Sequence, residues 1–214
     1  LLASSAASDV YKRQVYTVTN YYNQIFDNKE RWINDIQLPP FDGITLLTVS
    51  ANYPHKNLDI IFKIIDFLQE NKLDLKLRFV ITLSKEQFPM SEKYQKYIIL
   101  TGKLNIAQCP HLYEQADIVF LPTLLECFSA SYAEAMRMGI PILTSDLTFA
   151  RGLCGKAAEY CDSLSIKSIL DGIIKLQYKK RKDELIEAGH QQLKKFDTTE
   201  NRANKYIQII NNEI

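Results

Sequence analysis

The stretch Ile118-Val-Phe-Leu-Pro-Thr-Leu-Leu-Glu126-Cys-Phe-Ser-Ala-Ser-Tyr-Ala-Glu134-Ala-Met-Arg-Met-Gly139-Ile-Pro-Ile-Leu-Thr144 decides the fold. Its first four residues are apolar, and Pro122 closes them. A short apolar run bounded this way reads as a buried strand. Ser129 to Met138 then reads as a helix, its end marked by Gly139 and Pro141. Ile140 to Thr144 reads as the next strand. A strand, a helix and a strand within one short stretch form a right-handed crossover unit, which places the two strands parallel.

Working outward, the same alternation continues on both sides. Upstream, Ile44 to Val49 is a strand. Leu58, Ile61, Phe62, Ile65 and Leu68 follow helical spacing, so the pattern predicts a helix over Asn57 to Asn71 with Asn57 as its cap. Leu77 to Leu83 and Tyr97 to Leu100 are further strands, separated by the polar, weakly helical Ser84 to Lys96. Pro110 to Gln115 is a short helix. Downstream, Ala157 to Cys161 is a short sixth strand. From Ser165 the periodicity is helical throughout. Near the start, Val15 to Thr19 reads as an edge or linker strand. Asn28 to Gln37 carries Trp32, Ile33 and Ile36 at helical spacing before Pro39-Pro40.

The expected fold class is α/β: a Rossmann-like, doubly wound parallel sheet of about six strands, with helices on both faces and further C-terminal helices. Residues 1–14 are small and polar and read as an assembly scar. Residues 15–43 read as a linker or the end of a preceding domain, 44–176 as the sheet domain, and 177–214 as helices extending it.

Composition narrows the function classes. The 214 residues carry 26 Lys and Arg against 25 Asp and Glu, which gives no basic footprint for nucleic acid. No apolar run is long enough for a transmembrane helix. Cys109, Cys127, Cys154 and Cys161 form no C-x-x-C pair, so they read as reduced and mostly buried thiols. There are only 7 glycines, about half the usual share of ~7%. No G-x-G-x-x-G, P-loop or G-x-S-x-G motif is present, which lowers dehydrogenase, kinase and serine-hydrolase readings.

In this fold class ligands bind beyond the carboxyl ends of the strands. The residues there are informative. Lys56 follows the first strand, ahead of a helix, and suits a diphosphate. Glu126 sits in the loop after the fourth strand and Glu134 eight residues on, in the helix. A helix rises ~1.5 Å per residue, so these carboxylates are spread along a ligand rather than paired for acid–base work. That spacing suits two hydroxyl-rich ends flanking a charged middle, with backbone N–H groups from Cys127 to Ala130 holding the anion. Asp146 follows the fifth strand. Lys179 to Lys182 form a basic run that suits an anionic lipid surface or a solvated turn.

The run Glu126 to Gly139, continuing to Asp146, resembles the E-x7-E signature of family 4 (group 1) retaining glycosyltransferases of GT-B architecture. Leu47-Thr-Val-Ser with Lys56, Ile99-Leu-Thr-Gly102, Leu112 to Pro122 and Phe149 to Asp162 resemble further segments of that family's C-terminal, donor-binding domain, in the same order. The last resembles bacterial surface-polysaccharide members. The resemblance implies that Glu126 holds donor hexose hydroxyls, Glu134 the ribose hydroxyls and Lys56 the diphosphate. It puts Cys127, Phe128 and Ser129 at the phosphates, Gly102 and Lys103 at the base, and Asn52 and Asp146 on the donor side. Catalysis is assigned to Glu126 and Lys56. It further implies a UDP- or GDP-sugar as donor, no permanent cofactor and no metal. The acceptor would be a glycan or lipid-linked molecule held by an N-terminal domain, with transfer in the cytoplasm, either free of the membrane or peripheral on the inner face of the plasma membrane. A lone donor domain is expected to bind weakly and transfer nothing.

Cys127 and Ser129 stand where the family usually has glycine, and Ala51 or Asn52 where it has arginine. These departures suit a non-catalytic nucleotide-sugar-binding module as the alternative, with a GT-B type epimerase as a further one.

Overall fold

A computed structural model describes residues 16–211; residues 1–14, read as a scar, and Val15 lie outside them. Six strands form one parallel sheet: β1 (Ile44–Thr48), β2 (Leu77–Ile81), β3 (Ile98–Leu100), β4 (Ile118–Leu121), β5 (Ile142–Ser145) and β6 (Ala158–Cys161). Their order is β3-β2-β1-β4-β5-β6. Every residue of β1, β2, β4 and β5 is buried, as expected of strands covered on both faces. Hydroxyls inside the sheet are satisfied by neighbouring carbonyls: Thr48 donates to Phe120 O at 2.7 Å and Thr144 to Leu121 O at 2.9 Å.

The helices are α1 (Ile60–Glu70), α2 (Glu92–Gln95), α3 (Cys109–Glu114), α4 (Ala130–Met138), α5 (Thr148–Cys154), α6 (Ile166–Lys175), α7 (Lys179–Leu193) and α8 (Thr199–Ile210). Ile60, Ile61, Ile64, Ile65 and Leu68 of α1 and Ile169, Leu170 and Ile173 of α6 join Leu46, Phe79, Ile81, Ile118 and Phe120 in one apolar core. Elsewhere α4 contacts both α3 and α7. Gly139 ends α4 in the left-handed conformation, φ 66°, as its position in the sequence predicts.

Contacts divide the chain into two compact units. One is Tyr22–Lys195, which holds the sheet. The other joins the described residues up to Tyr21 with those from Phe196 on. This division runs across the expected segments 15–43 and 177–214. Within the small unit, Thr19 donates its backbone N–H and its hydroxyl to Asp197, at 2.8 and 3.0 Å, and Lys205 pairs with the same carboxylate at 2.7 Å.

Three local expectations are corrected. Asn57 does not cap α1, which starts at Ile60. It sits instead in the left-handed conformation, φ 54°, after the 3-10 turn Pro54–Lys56. Its amide donates to Pro122 O at 3.3 Å and Ser163 O at 2.9 Å, so the side chain serves other loops rather than its own helix. Asn28 to Gln37 is not a helix. Two 3-10 turns, Gln24–Asp27 and Lys29–Arg31, are followed by extended chain. Its backbone partners lie elsewhere: Ile33 N–H donates to Ala107 O, and Gln115 bonds both Leu38 N–H and Ile36 O. Those distant partners outcompete a helix whose bonds would be internal. Residues 16–19 of the expected first strand carry no strand.

Candidate functional site

The order β3-β2-β1-β4-β5-β6 places a switch point between β1 and β4, where successive crossovers leave in opposite directions. The crevice of such a sheet opens there, beyond the strand ends. The loops after β1 and β4 meet at this place. Lys56 Nζ forms an ion pair with Glu126 Oε2. Both side chains are largely enclosed, 17% and 14% exposed. Backbone contacts hold the same two loops together: Leu124 N–H and the Thr123 hydroxyl both donate to His55 O, at 2.7 and 3.1 Å. Thr48, Ser50, Thr123, Ser129 and Tyr132 also line this cleft.

Ser129 is the N-cap residue of α4, yet its side chain makes no capping bond. The Tyr132 N–H donates to Ser129 O at 3.3 Å, which leaves the Ala130 and Ser131 N–H groups at the start of α4 with capacity for an incoming anion, beside the Lys56 ammonium. Ser131 anchors that turn by donating to Val49 O at 3.1 Å. The Tyr132 hydroxyl is fixed against Thr144 at 2.8 Å. The cleft's cavity volume is only about 10 Å³. Ligand pockets commonly reach roughly 300–1,000 Å³, so a large ligand enters only if the Lys56–Glu126 pair parts, and it is not enclosed by this chain.

The other expected residues are placed around this centre rather than in it. Cys127 is exposed and Phe128 half-buried in the loop leading to α4. Asn52 is exposed and donates to Gln87 O at 2.5 Å, which ties the loop after β1 to the loop after β2. Gly102 follows β3 with φ 75°, its N–H donating to Leu83 O at 3.0 Å; Lys103 comes next, exposed to an intermediate degree or more with its neighbours. Asp146 lies beyond β5 in an ion pair with Arg151, whose guanidinium covers the Tyr160 ring at 4.3 Å. Glu134 is 6% exposed and does not line the cleft with Glu126. It accepts a hydrogen bond from the Tyr113 hydroxyl at 2.8 Å. Burial raises the Glu134 carboxyl above the usual carboxylate range, and the Tyr113 bond works against that rise.

Several contributors were not singled out in the sequence: Thr48, Thr123 and Tyr132. A signal existed for two of them. Thr48 and Thr123 close β1 and follow β4, and a hydroxyl at a buried strand end needs a partner or a task. Among the described residues no group of three or more His, Cys, Asp or Glu is placed to hold a metal ion.

The family model for glycosyl transferases group 1 matches residues 43–177, which spans β1 to the end of α6. The chain belongs to this family. The group 1 glycosyl transferase shares its fold with solved structures of GT-B enzymes. Sucrose-phosphate synthase from Thermosynechococcus elongatus aligns at TM-score 0.69 and 13% identity, over 93% of this chain and 52% of that one. A mutant of TarM from S. aureus, solved with Fondaparinux, alpha-GlcNAc-glycerol and UDP, aligns at TM-score 0.67 and 15% identity, over 97% and 42%. The UDP-forming alpha,alpha-trehalose-phosphate synthase of Burkholderia vietnamiensis aligns at 0.63 and 12%, over 79% and 45%. The glycosyl transferase thus spans about half the length of these structures. No curated protein matches it at a significant level. Among the described residues no helix is long and apolar enough to cross a membrane.

Proposed function

We propose that this chain is the donor-binding half of a retaining hexosyltransferase that uses a UDP- or GDP-sugar. The observation that carries the reading is the meeting of Lys56, Glu126 and the uncapped start of α4 in one cleft at the switch point. A diphosphate brings negative charge to a place where the enclosed Lys56 ammonium lies near the start of α4. Its arrival gives Lys56 a second anionic partner. Glu126 is then released to accept hydrogen bonds from the hexose hydroxyls.

Transfer breaks the bond from the anomeric carbon to the diphosphate oxygen, forms one from that carbon to an acceptor hydroxyl oxygen and passes the hydroxyl proton to the departing diphosphate, on which charge collects. Lys56 and the α4 N-terminus stabilise that charge as it develops, which is where electrostatic help lowers a barrier. In this reading no metal takes part. Glu134 receives the ribose hydroxyls, with Gly102 and Lys103 beside the base. The acceptor is a glycan or lipid-linked molecule of bacterial polysaccharide synthesis. It is bound by an N-terminal domain in the cytoplasm, so this chain alone transfers nothing.

Joined to an acceptor domain, Lys56→Ala and Glu126→Ala each lower hexosyl transfer at least tenfold, measured as product formed per enzyme. Near-wild-type turnover in both variants defeats these roles. A second reading, a non-catalytic nucleotide-sugar-binding module, is favoured by the side chains of Cys127 and Ser129 where backbone would approach phosphate. Calorimetry separates the two: sugar nucleotide bound, yet neither transferred nor hydrolysed by the joined protein, selects the module.

A further inference from the structure

Tyr113 is fully buried in α3, and its ring meets Phe26 edge to face at 5.6 Å. Its hydroxyl donates to Glu134 Oε2 at 2.8 Å. The other carboxylate oxygen, Oε1, accepts no hydrogen bond. It is also not sealed off, because the one enclosed side-chain polar atom without a partner among the described residues is Arg202 Nε. Glu134 therefore offers one oxygen fixed from inside the protein and one that is unpartnered and not completely enclosed, within a side chain that is itself largely buried.

This division is unusual for a merely structural glutamate. A carboxylate kept for stability gains from having both oxygens satisfied, since an enclosed charge is costly to leave half-paired. Glu134 also lies five residues beyond Ser129, about 7 Å along the helix from the N–H groups that would take the diphosphate. That separation is comparable to the span from the 5′-phosphate of a nucleotide to its ribose hydroxyls. A tyrosine is well suited to the inner position. Its ring is locked by packing, and its hydroxyl holds a carboxylate in one orientation at little further entropic cost.

We propose that Tyr113 is a positioning residue, whose hydroxyl fixes the Glu134 carboxylate so that Oε1 receives a ribose hydroxyl of the bound nucleotide. The proposal rests on the donor-binding reading above. It makes discrimination of ribose a property of two residues, one of which never touches the ligand.

The test uses the full chain and two pairs of probes: UDP and 2′,3′-dideoxy-UDP, and GDP and 2′,3′-dideoxy-GDP. Wild type is expected to bind the ribose form of one pair at least fivefold more tightly. In Tyr113→Phe that preference falls at least threefold, while affinity for the dideoxy form stays within twofold. Loss of both forms equally would mean a packing defect and overturn the proposal, as would an unchanged preference. A wild type that binds neither pair, or binds without preference, removes the reading of Glu134 itself and the proposal with it. A measurement on the unaltered chain guards against a variant that does not fold. The 13Cζ resonance of Tyr113, which responds to hydrogen bonding at the hydroxyl, should move with the ribose nucleotide and not with the dideoxy one. A resonance that moves with neither, or equally with both, overturns the role of Tyr113.

Discussion

At the scale of single residues, Glu126 and Glu134 are chemically identical and physically far apart. Glu126 sits in a loop against a lysine, so its charge has a partner. Glu134 sits in α4 under cover, so burial disfavours its charge, and the Tyr113 hydrogen bond offsets only part of that. The consequence for stability has a definite sign. Below about pH 4 both folded and unfolded chains hold the Glu134 proton. As pH rises, the unfolded chain releases it first, and stability drains away until the folded carboxyl also ionises. Glu134→Gln lacks this loss. In urea titrations the variant is therefore expected to gain on wild type as pH rises above about 4; a difference that does not change with pH refutes it. Cysteine reactivity provides a second residue-scale test. Burial pushes the Cys109 thiol up to about 11 and the Cys161 thiol up to about 12, and lifts Cys154 further still. Cys127 is the exposed one. Brief N-ethylmaleimide treatment of the native chain should add one label, at Cys127 by mass spectrometry, and nucleoside diphosphate should slow it. Primary labelling of any other cysteine contradicts the arrangement. The sequence places both glutamates and Lys56 beyond the right strands. It does not say which carboxylate is enclosed, because that depends on Tyr113, 21 residues away in the chain.

At the scale of elements, the strands are the most legible part. Their apolar runs follow from burial on both faces, a constraint strong enough to be written in four or five residues. Turns are less legible. Asn57 satisfies the rule for a helix cap and for a left-handed turn alike, since asparagine suits both. What decides is the presence of Pro122 O and Ser163 O within reach, and only the folded chain brings those together. Asn57→Gly keeps the backbone conformation and loses the two bonds. Asn57→Ala loses the bonds and adds a left-handed penalty of ~1–2 kcal/mol. Each bond is worth about 0.5–1.5 kcal/mol, so Ala should cost roughly 2–5 kcal/mol and Gly about 1–2 kcal/mol less. Equal losses in the two variants, read from chemical unfolding, would remove the conformational part of the explanation. The stretch after Arg31 misleads for a related reason. Trp32, Ile33 and Ile36 have helical spacing, but Gln115 and Ala107 supply the hydrogen bonds that a helix would otherwise make for itself.

At the scale of the whole molecule, alternation of strand and helix fixes a parallel sheet, yet it leaves the order of strands open. The order arises from packing α1 and α6 together in one layer, a contact between segments about a hundred residues apart. The apolar core built on that contact lies entirely inside Tyr22–Lys195. A chain of residues 22–195 should therefore unfold in a single cooperative transition, followed by circular dichroism in urea. A broad, gradual loss of signal would show that the sheet unit is not self-sufficient.

The seam between β1 and β4 has a temporal meaning as well as a spatial one. Leu46 pairs with Ile118 and Leu47 with Val119, 72 residues on, and few register pairs join the two halves of the sheet there. Closing so long a loop must precede any reward from the contact, so this pairing is expected late on the folding pathway. Lys56 belongs to the half that begins with β1 and Glu126 to the half that begins with β4. The cleft is thus absent until the two halves dock. A nucleotide that fits it would act as a rivet across the seam, leaving the folding rate nearly untouched while slowing unfolding.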